Sequence, residues 1–449
     1  MELNGVTQIP YSLVSCFVNG MEVQILELAM EGFSFRTPEP VEKIMKIELK
    51  YYYFKESRYH TIDLKQYKVL EEKEKNFYIE YVIGDVEAEF QENTSYMIKD
   101  YWKYMQLKMS GDDGYCAQEK AGYPADLDET YADSFEIQRK EWFSNIVIEE
   151  RERYQKLLSE LEVAVSLDSS DKYESFLYQD LNSFWKGYLK QQFLSRHPLQ
   201  ERRLERIYIG NEFCHNLFPD KEVLFELLKK AEQEQIGITI VFTYLRENLI
   251  EKTKRLLEEV FEWCLAEDVQ IEVVINDWGM FSLLDGKEAY MKHSFGNLLN
   301  KRRKDPRYSY KTGYEESVEM LAENSLEDDM YWKYLTDKLH ISRFEQESCG
   351  YQMKLPAGRN SIHMPYYQTN TSQYCTLYAK CTTGKRGRQQ LVMKCPEYCK
   401  EFLFLYPSHL KMTGRYNSLF GMDENLLRNA DTMQCYMESG ADRIVLNFL

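Results

Sequence analysis

No apolar run in this sequence approaches the roughly 20 residues that cross a bilayer. Its start, Met1-Glu2-Leu3-Asn4, has no basic stretch leading into an apolar core, so no export signal is expected. A cytoplasmic protein without a membrane partner follows. A surplus of positive charge is also missing. The 56 Lys and Arg stand against 73 Asp and Glu, a formal net charge of -17, so no global field draws in phosphate backbones. Nucleic acid stays open as a partner only through a local basic groove. Neither GxGxxG nor GxxxxGK followed by Ser or Thr opens a helix, which removes support for nucleotide-driven chemistry. A GxSxG elbow, an HExxH helix and a recognisable cysteine-histidine pair are absent too, and proteolysis thereby loses its usual nucleophiles and activated water.

What is present is a long chain with much to bury. With 449 residues, 44% of them hydrophobic and 14% aromatic, two or three domains are expected. The ten cysteines would suit a disulfide framework in a small secreted domain. In a large chain without an export signal they are expected to stay reduced, as thiols or metal ligands.

Residues 1–108 read as a small antiparallel β-domain. Segments such as Lys46-Ile-Glu-Leu-Lys-Tyr51 and Asn76-Phe-Tyr-Ile-Glu-Tyr-Val82 nearly alternate in polarity. A closing helix is expected over 95–108, where Tyr101, Trp102, Tyr104 and Met105 return at helical spacing. An acidic linker over 109–134 follows from its glycines, Pro124 and aspartates. Residues 135–202 read as a charged helical connector, with Leu157, Leu158, Leu161 and Val165 on one face.

From Arg206 strand and helix patterns alternate: strands at 206–210, 237–242 and 271–275, with helices from Lys221 and Asn248. Further strands are expected at 342–346, 361–364 and 443–446. Six or more parallel strands in alternation predict a parallel α/β domain over 203–449, either a TIM-like barrel or an open doubly wound sheet.

Ile207-Tyr-Ile-Gly210 followed by Cys214, Val274-Ile-Asn-Asp-Trp-Gly279, and Asn297-Leu-Leu-Asn300 leading into Lys304-Asp-Pro-Arg307 together resemble the collagenase-like peptidase family U thirty-two. The likeness is strongest to its iron-sulfur proteins of oxygen-independent ubiquinone hydroxylation. That resemblance implies a four-iron, four-sulfur (4Fe-4S) cluster on Cys214, Cys381, Cys395 and Cys399, a hydroxylation-type redox reaction on an organic or RNA substrate, and a related protein subunit as partner. Cys375 is a rival ligand. At the amino terminus, Ile25-Leu-Glu-Leu-Ala-Met-Glu-Gly-Phe-Ser-Phe-Arg36 resembles a degenerate PilZ signature, at Glu27, Ala29 and Gly32. PilZ domains are antiparallel β-barrels, and those that bind cyclic di-GMP use two arginines ahead of this turn. None precedes Arg36, so cyclic di-GMP is not expected and protein contact is favoured.

The chemistry of the cysteines is compatible with this resemblance. A cluster needs thiolates approaching from several directions, and the close pair Cys395 and Cys399 with distant partners supplies that. Zinc is the alternative, on Cys375, Cys381, Cys395 and Cys399, in a regulatory or interaction protein whose metal is structural. Cys16, Cys116, Cys264, Cys349 and Cys435 belong to no spaced group and read as small hydrophobes. Asn276 and Asp277 at a strand end are read as caps rather than substrate ligands, and His363 as a hydrogen-bonded core residue rather than a proton donor. The basic run Lys301, Arg302, Arg303, Lys304 and Arg307 reads as a solvated face.

Overall fold

The structure is a computed structural model that describes residues 3–7, 9, 13–53, 58–109, 131–300, 302, 304, 324–351, 353–384, 388–406 and 411–449. Two compact units divide the chain. One is Met1–Asp126 with Tyr310–Glu315, and the other is Leu127–Ser309 with Glu316–Leu449.

Alternating apolar residues build the first unit's sheet, as expected. Strands β1 (Val6–Thr7), β2 (Val14–Val18), β3 (Met21–Ala29), β4 (Gly32–Thr37), β5 (Ile47–Tyr53), β6 (Arg58–Asp63), β7 (Lys68–Glu74) and β8 (Ile79–Gly84) pair antiparallel in the order β6-β5-β2-β3-β4-β8-β7, with β1 on β3. No β6–β7 pair closes it among the described residues, so the sheet is open where a barrel was expected. Helix Ala88–Met109 starts earlier than the expected 95–108 and inserts Phe90 and Met97 among Val14, Leu28, Phe33, Phe35 and Tyr51. At the PilZ-like turn, Glu27 accepts from the Gly5 amide at 2.8 Å. Gly32 has a φ of 157°, and a Cβ there would lie 2.0 Å from the Ile83 carbonyl oxygen. Both positions therefore serve the sheet's own packing.

The second unit is a closed barrel of eight parallel strands: β9 (Glu162–Leu167), β10 (Arg206–Ile209), β11 (Gly237–Val241), β12 (Ile271–Ile275), β13 (Met291–Phe295), β14 (Ile341–Glu347), β15 (Arg359–Met364) and, last in the ring, β20 (Ala441–Leu446), which pairs with both β15 and β9. The open doubly wound alternative is excluded. Between β15 and β20 the chain makes a four-stranded antiparallel sheet, β16 (Tyr366–Thr371), β17 (Phe404–Leu405), β18 (Met412–Arg415) and β19 (Ser418–Met422), ordered β16-β19-β18-β17.

Two boundaries differ from expectation. The segment 135–202 is not only a helical connector, because it holds β9, so the barrel starts before 203. Leu157 and Leu158 lie on helix Arg151–Ser159, whereas Leu161 and Val165 belong to the turn and the strand after it. A short apolar run such as Val163-Ala-Val165 has no periodicity to separate strand from helix. Of the expected linker, residues 110–130 lie outside the described residues, and its end is already helix Tyr131–Phe143.

Candidate functional site

The layers of the barrel differ: polar groups fill its amino ends, and Ala164, Val241, Val274 and Val445 cluster around Tyr208. At the amino ends of the strands, Arg443 Nε donates to Glu162 at 2.6 Å, and its two terminal nitrogens donate to Glu272 at 2.6 and 2.9 Å. Arg343 forks onto Asp442 at 2.6 and 3.0 Å, and Arg206 donates to Glu162 at 2.7 Å. Burial alone would raise the Glu272 pKa, but Arg443, Arg206 and Arg343 bring it down to about 2. One layer up, Tyr208 on β10 reaches Glu345 on β14 across the bore, at 3.2 and 3.3 Å. Ser294 donates to the same carboxylate at 2.6 Å.

His363 tops this stack, its Nε2 2.8 Å from Glu345. Burial works against its charge, yet Glu345, Glu212 and Glu347 together raise its pKa. It borders a small cavity of about 30 Å³, room for a water molecule, with Tyr208, Glu212 and Asp168. His363 is thus the hydrogen-bonded core residue expected, and it borders this small cavity.

At the carboxyl ends, where barrels of this kind carry their sites, opens a cavity of about 640 Å³. Loops after β11, β12 and β13 line it, together with residues 368–373 of β16 and its following turn. Asn276 braces these loops. Its Nδ2 donates to the Phe242 carbonyl at 2.8 Å and to Glu212 at 3.2 Å, and its Oδ1 accepts from the Leu298 amide at 3.0 Å. Gly296 makes room for this, since a Cβ there would lie 2.1 Å from Asn276 Oδ1. Asp277 caps the Gly279 amide at 2.7 Å, the capping role expected of it. Burial pushes the Glu212 pKa up despite donors from Asn276 and Asn297. Of the basic run, Arg302 and Lys304 line the cavity instead of forming a solvated face, while Lys301, Arg303 and Arg307 lie outside the described residues.

The cysteines gather beside this cavity. Cys214 follows β10 after Gly210, whose φ is 118° and where a Cβ would lie 2.2 Å from the Val241 carbonyl oxygen, so no side chain is admitted. Asn211 Oδ1 holds the turn by accepting from the Phe213 and Cys214 amides, each at 2.9 Å. Cys375 caps helix Thr376–Thr383, its sulfur accepting from the Tyr378 amide at 3.3 Å, and Cys381 lies on the same helix. Cys399 sits in the turn Tyr398–Lys400. Asn417 ties the two regions, with its Nδ2 donating to the Phe213 carbonyl at 2.6 Å and the Ser372 carbonyl at 2.8 Å. From the other side, Tyr244 donates to the Gln373 carbonyl at 2.9 Å.

Burial raises the Cys214 pKa, and the charges of Cys375, Cys399 and Cys395 raise it further. Cys375, pushed up to about 11 by burial, feels Cys395 and Cys381. Cys399, pushed up to about 12 by burial, feels Cys375 and Cys395, and Arg415 works the other way. Cys214, Cys375, Cys395 and Cys399 are thus mutual electrostatic neighbours, and Cys381 joins them through Cys375. Among the described residues, no three His, Cys, Asp or Glu side chains are already grouped closely enough to hold a metal ion. The donor chemistry fits a soft, thiolate-bound centre, but the thiols would have to draw together around it. Cys16, Cys264 and Cys349 are buried, as small hydrophobes would be, while Cys435 is half-buried. Cys116 lies outside the described residues.

Tyr244 and Asn417 carry no signal in the sequence, whereas Asn211 and Glu212 carry one, their closeness to Cys214 after a Tyr-x-Gly strand end. Among the described residues, no helix is long and apolar enough to cross a membrane. No family model, curated protein or solved structure matches the chain.

Proposed function

We propose that this chain is a redox protein carrying an iron-sulfur cluster beside the carboxyl-end cavity of its barrel, acting on a molecule bound there. The observation that carries the reading is the convergence of Cys214, from a strand-end loop, with Cys375, Cys395 and Cys399, from the segment between β16 and β18. Those four thiols are the proposed ligands. The likeness to the hydroxylation proteins implied Cys381 in place of Cys375, and the helix Thr376–Thr383 carries both. A bound cluster would supply single-electron transfer.

The chain's own residues supply the rest. Buried thiols with raised pKa values stay protonated without a cation, so loading the centre must release protons. Asn211, Asn417 and Tyr244 hold the cysteine-bearing loops at the cavity wall. His363, oriented by Glu345, keeps a proton within the bore below. Hydroxylation-type chemistry of an organic or RNA substrate is the class this reading favours. The open sheet of the first unit serves protein contact, with a related subunit as the proposed partner.

The test is anaerobic purification followed by measurement of iron, acid-labile sulfide and zinc, with visible spectra before and after reduction. Cys214→Ala and Cys375→Ala are expected to lose cluster content, and Cys381→Ala to keep it. Loss in Cys381→Ala with retention in Cys375→Ala would exchange one ligand and keep the function. Colourless, zinc-loaded protein indifferent to Cys214 would sink the redox reading and leave a structural metal site in an interaction protein.

A further inference from the structure

Arg302 and Asn300 line the 640 Å³ cavity, and with Gln346, which bonds both, they hold hydrogen-bonding groups that the protein leaves unused. Arg302 Nη2 and Asn300 Nδ2 both donate to Gln346 Oε1, at 2.9 and 2.8 Å. Yet Arg302 Nε and Nη1, Gln346 Nε2 and Asn300 Oδ1 are buried without a hydrogen-bond partner. Gln346 is 0% exposed and Asn300 4%, so water at an open surface does not meet these needs. Two nearby charges are already engaged. Lys304 is paired with Glu347, and Asp277 Oδ1 accepts from the Gly279 amide at 2.7 Å. Arg302 has no carboxylate partner among the described residues.

A guanidinium partly buried without a counter-charge is costly, as are buried N–H groups without an acceptor. On the cavity wall the surplus is of donors, Arg302 Nε and Nη1 against the single Oδ1 of Asn300. A neutral alcohol or amide would bring as many donors as acceptors, whereas a carboxylate or phosphate brings acceptors and the missing charge. Trp278, 48% exposed on the same cavity, adds an aromatic face beside Leu298 and Leu299. The volume is that of a small-molecule site.

We infer that this cavity binds a small organic oxyanion, a carboxylate or a phosphate ester, that docks on Arg302 beside Asn300 with its apolar part against Trp278. As a binding site it is independent of the thiol centre. As the substrate site of a redox enzyme it rests on the function proposed above.

The test is titration calorimetry on the full chain with succinate and with inorganic phosphate as probes, at low ionic strength. Saturable binding of one probe is expected, weakened about tenfold or more in Arg302→Gln, as for loss of a charge-assisted contact. Preference for phosphate identifies a phosphate ester, and preference for succinate a carboxylate. Asn300→Asp is the second variant. It places a counter-charge beside Arg302 without removing it, and is expected to abolish binding while leaving the unfolding midpoint level or higher. Cys214→Ala is expected to bind the anion as the parent does, even where it carries no iron, so failure of the redox reading leaves this result standing. No saturable binding of either probe, or unchanged affinity in both folded Arg302→Gln and Asn300→Asp, overturns the inference.

Discussion

The two ends of the barrel are built on opposite terms. At the amino ends, Arg343, Arg443 and Arg206 meet Glu162, Glu272 and Asp442 in a ring of ion pairs. Within this ring, among the described residues, Arg343 Nε lacks a hydrogen bond, and it still lies 3.5 Å from Glu272. At the carboxyl ends, thiols lie near one another, and Arg302 and Asn300 hold unmet polar atoms at a cavity. One end completes its own chemistry, and the other leaves it for something bound. Substitutions at the amino end should therefore cost stability, and those at the carboxyl end should cost binding.

The largest effect is expected from Arg443→Met. The guanidinium is fully buried, and removing it leaves Glu162 to Arg206 and takes the forked partner from Glu272, which keeps only Arg206 at 3.6 Å and Arg343 at 3.5 Å, a loss of up to about 3–5 kcal/mol for a broken buried pair. Denaturant unfolding would read this directly. The comparison breaks if the cost is below about 1 kcal/mol, because the ring would then behave like surface ion pairs.

Acid should strike the same end next. The Glu272 pKa is held at about 2 against an ordinary 4.5, so its contribution is present above pH 4.5 and is lost as pH falls towards 2. Integrated over that shift it is about 3 kcal/mol. His363 has the opposite sign. Its raised pKa contributes stability that is present below pH 6.5 and is lost as pH rises through the folded value. Unfolding midpoints across pH for Glu272→Gln and His363→Gln should flatten the acid limb and the alkaline limb respectively. If both variants flatten the same limb, the two ends are not electrostatically distinct.

Thiol chemistry sharpens the contrast within the carboxyl end. Burial pushes Cys375 up to about 11 and Cys399 up to about 12, so in metal-free protein at pH 8 few thiolates form and alkylation should be slow. Cys381 and Cys395 are less deeply buried, though burial raises their pKa values as well, and should react first. Since the thiolate is the nucleophile, mass spectrometry of a time course would order the sites. Reaction of Cys399 ahead of Cys381 would mean that the loops already open without a cation.

How much of this was legible in the sequence follows the same division. The six strands read within residues 203–449 all lie in the barrel, and in four of them, at 206–210, 237–242, 271–275 and 443–446, Val- and Ile-rich runs announce buried parallel strands. The two that were missed have physical reasons. Strand β13, Met291-Lys-His-Ser-Phe295, carries three polar residues because Ser294 bonds Glu345 in the bore and His293 bonds the Leu339 carbonyl. Strand β9 follows a helix so closely that its apolar residues read as the helix's face. At the site, the cysteines were visible as residue types and the strand-end position of Cys214 as a pattern. Their neighbourhood was not, since it depends on Asn417 and Tyr244 bonding backbone more than 40 residues away. The unused donors of Arg302 were hidden as well, because a basic run says nothing of which member lacks a partner.

The smallest expected effect on stability is the one that best separates the two ends. Trp278 is half exposed and stacks on Phe281 with ring centroids 5.7 Å apart, so Trp278→Ala should cost well under the 3–5 kcal/mol typical of a core tryptophan, about 1 kcal/mol or less. A large aromatic left in water at a cavity rim gains little for the fold, and its value lies in what it covers. If the carboxyl end is arranged for a ligand, this variant should unfold nearly as the parent does while weakening whatever anion the Arg302 wall retains. A loss of several kcal/mol with unchanged anion affinity would instead make Trp278 part of the scaffold. The carboxyl end would then have to be counted, on that side of the cavity, among the self-sufficient parts of the barrel.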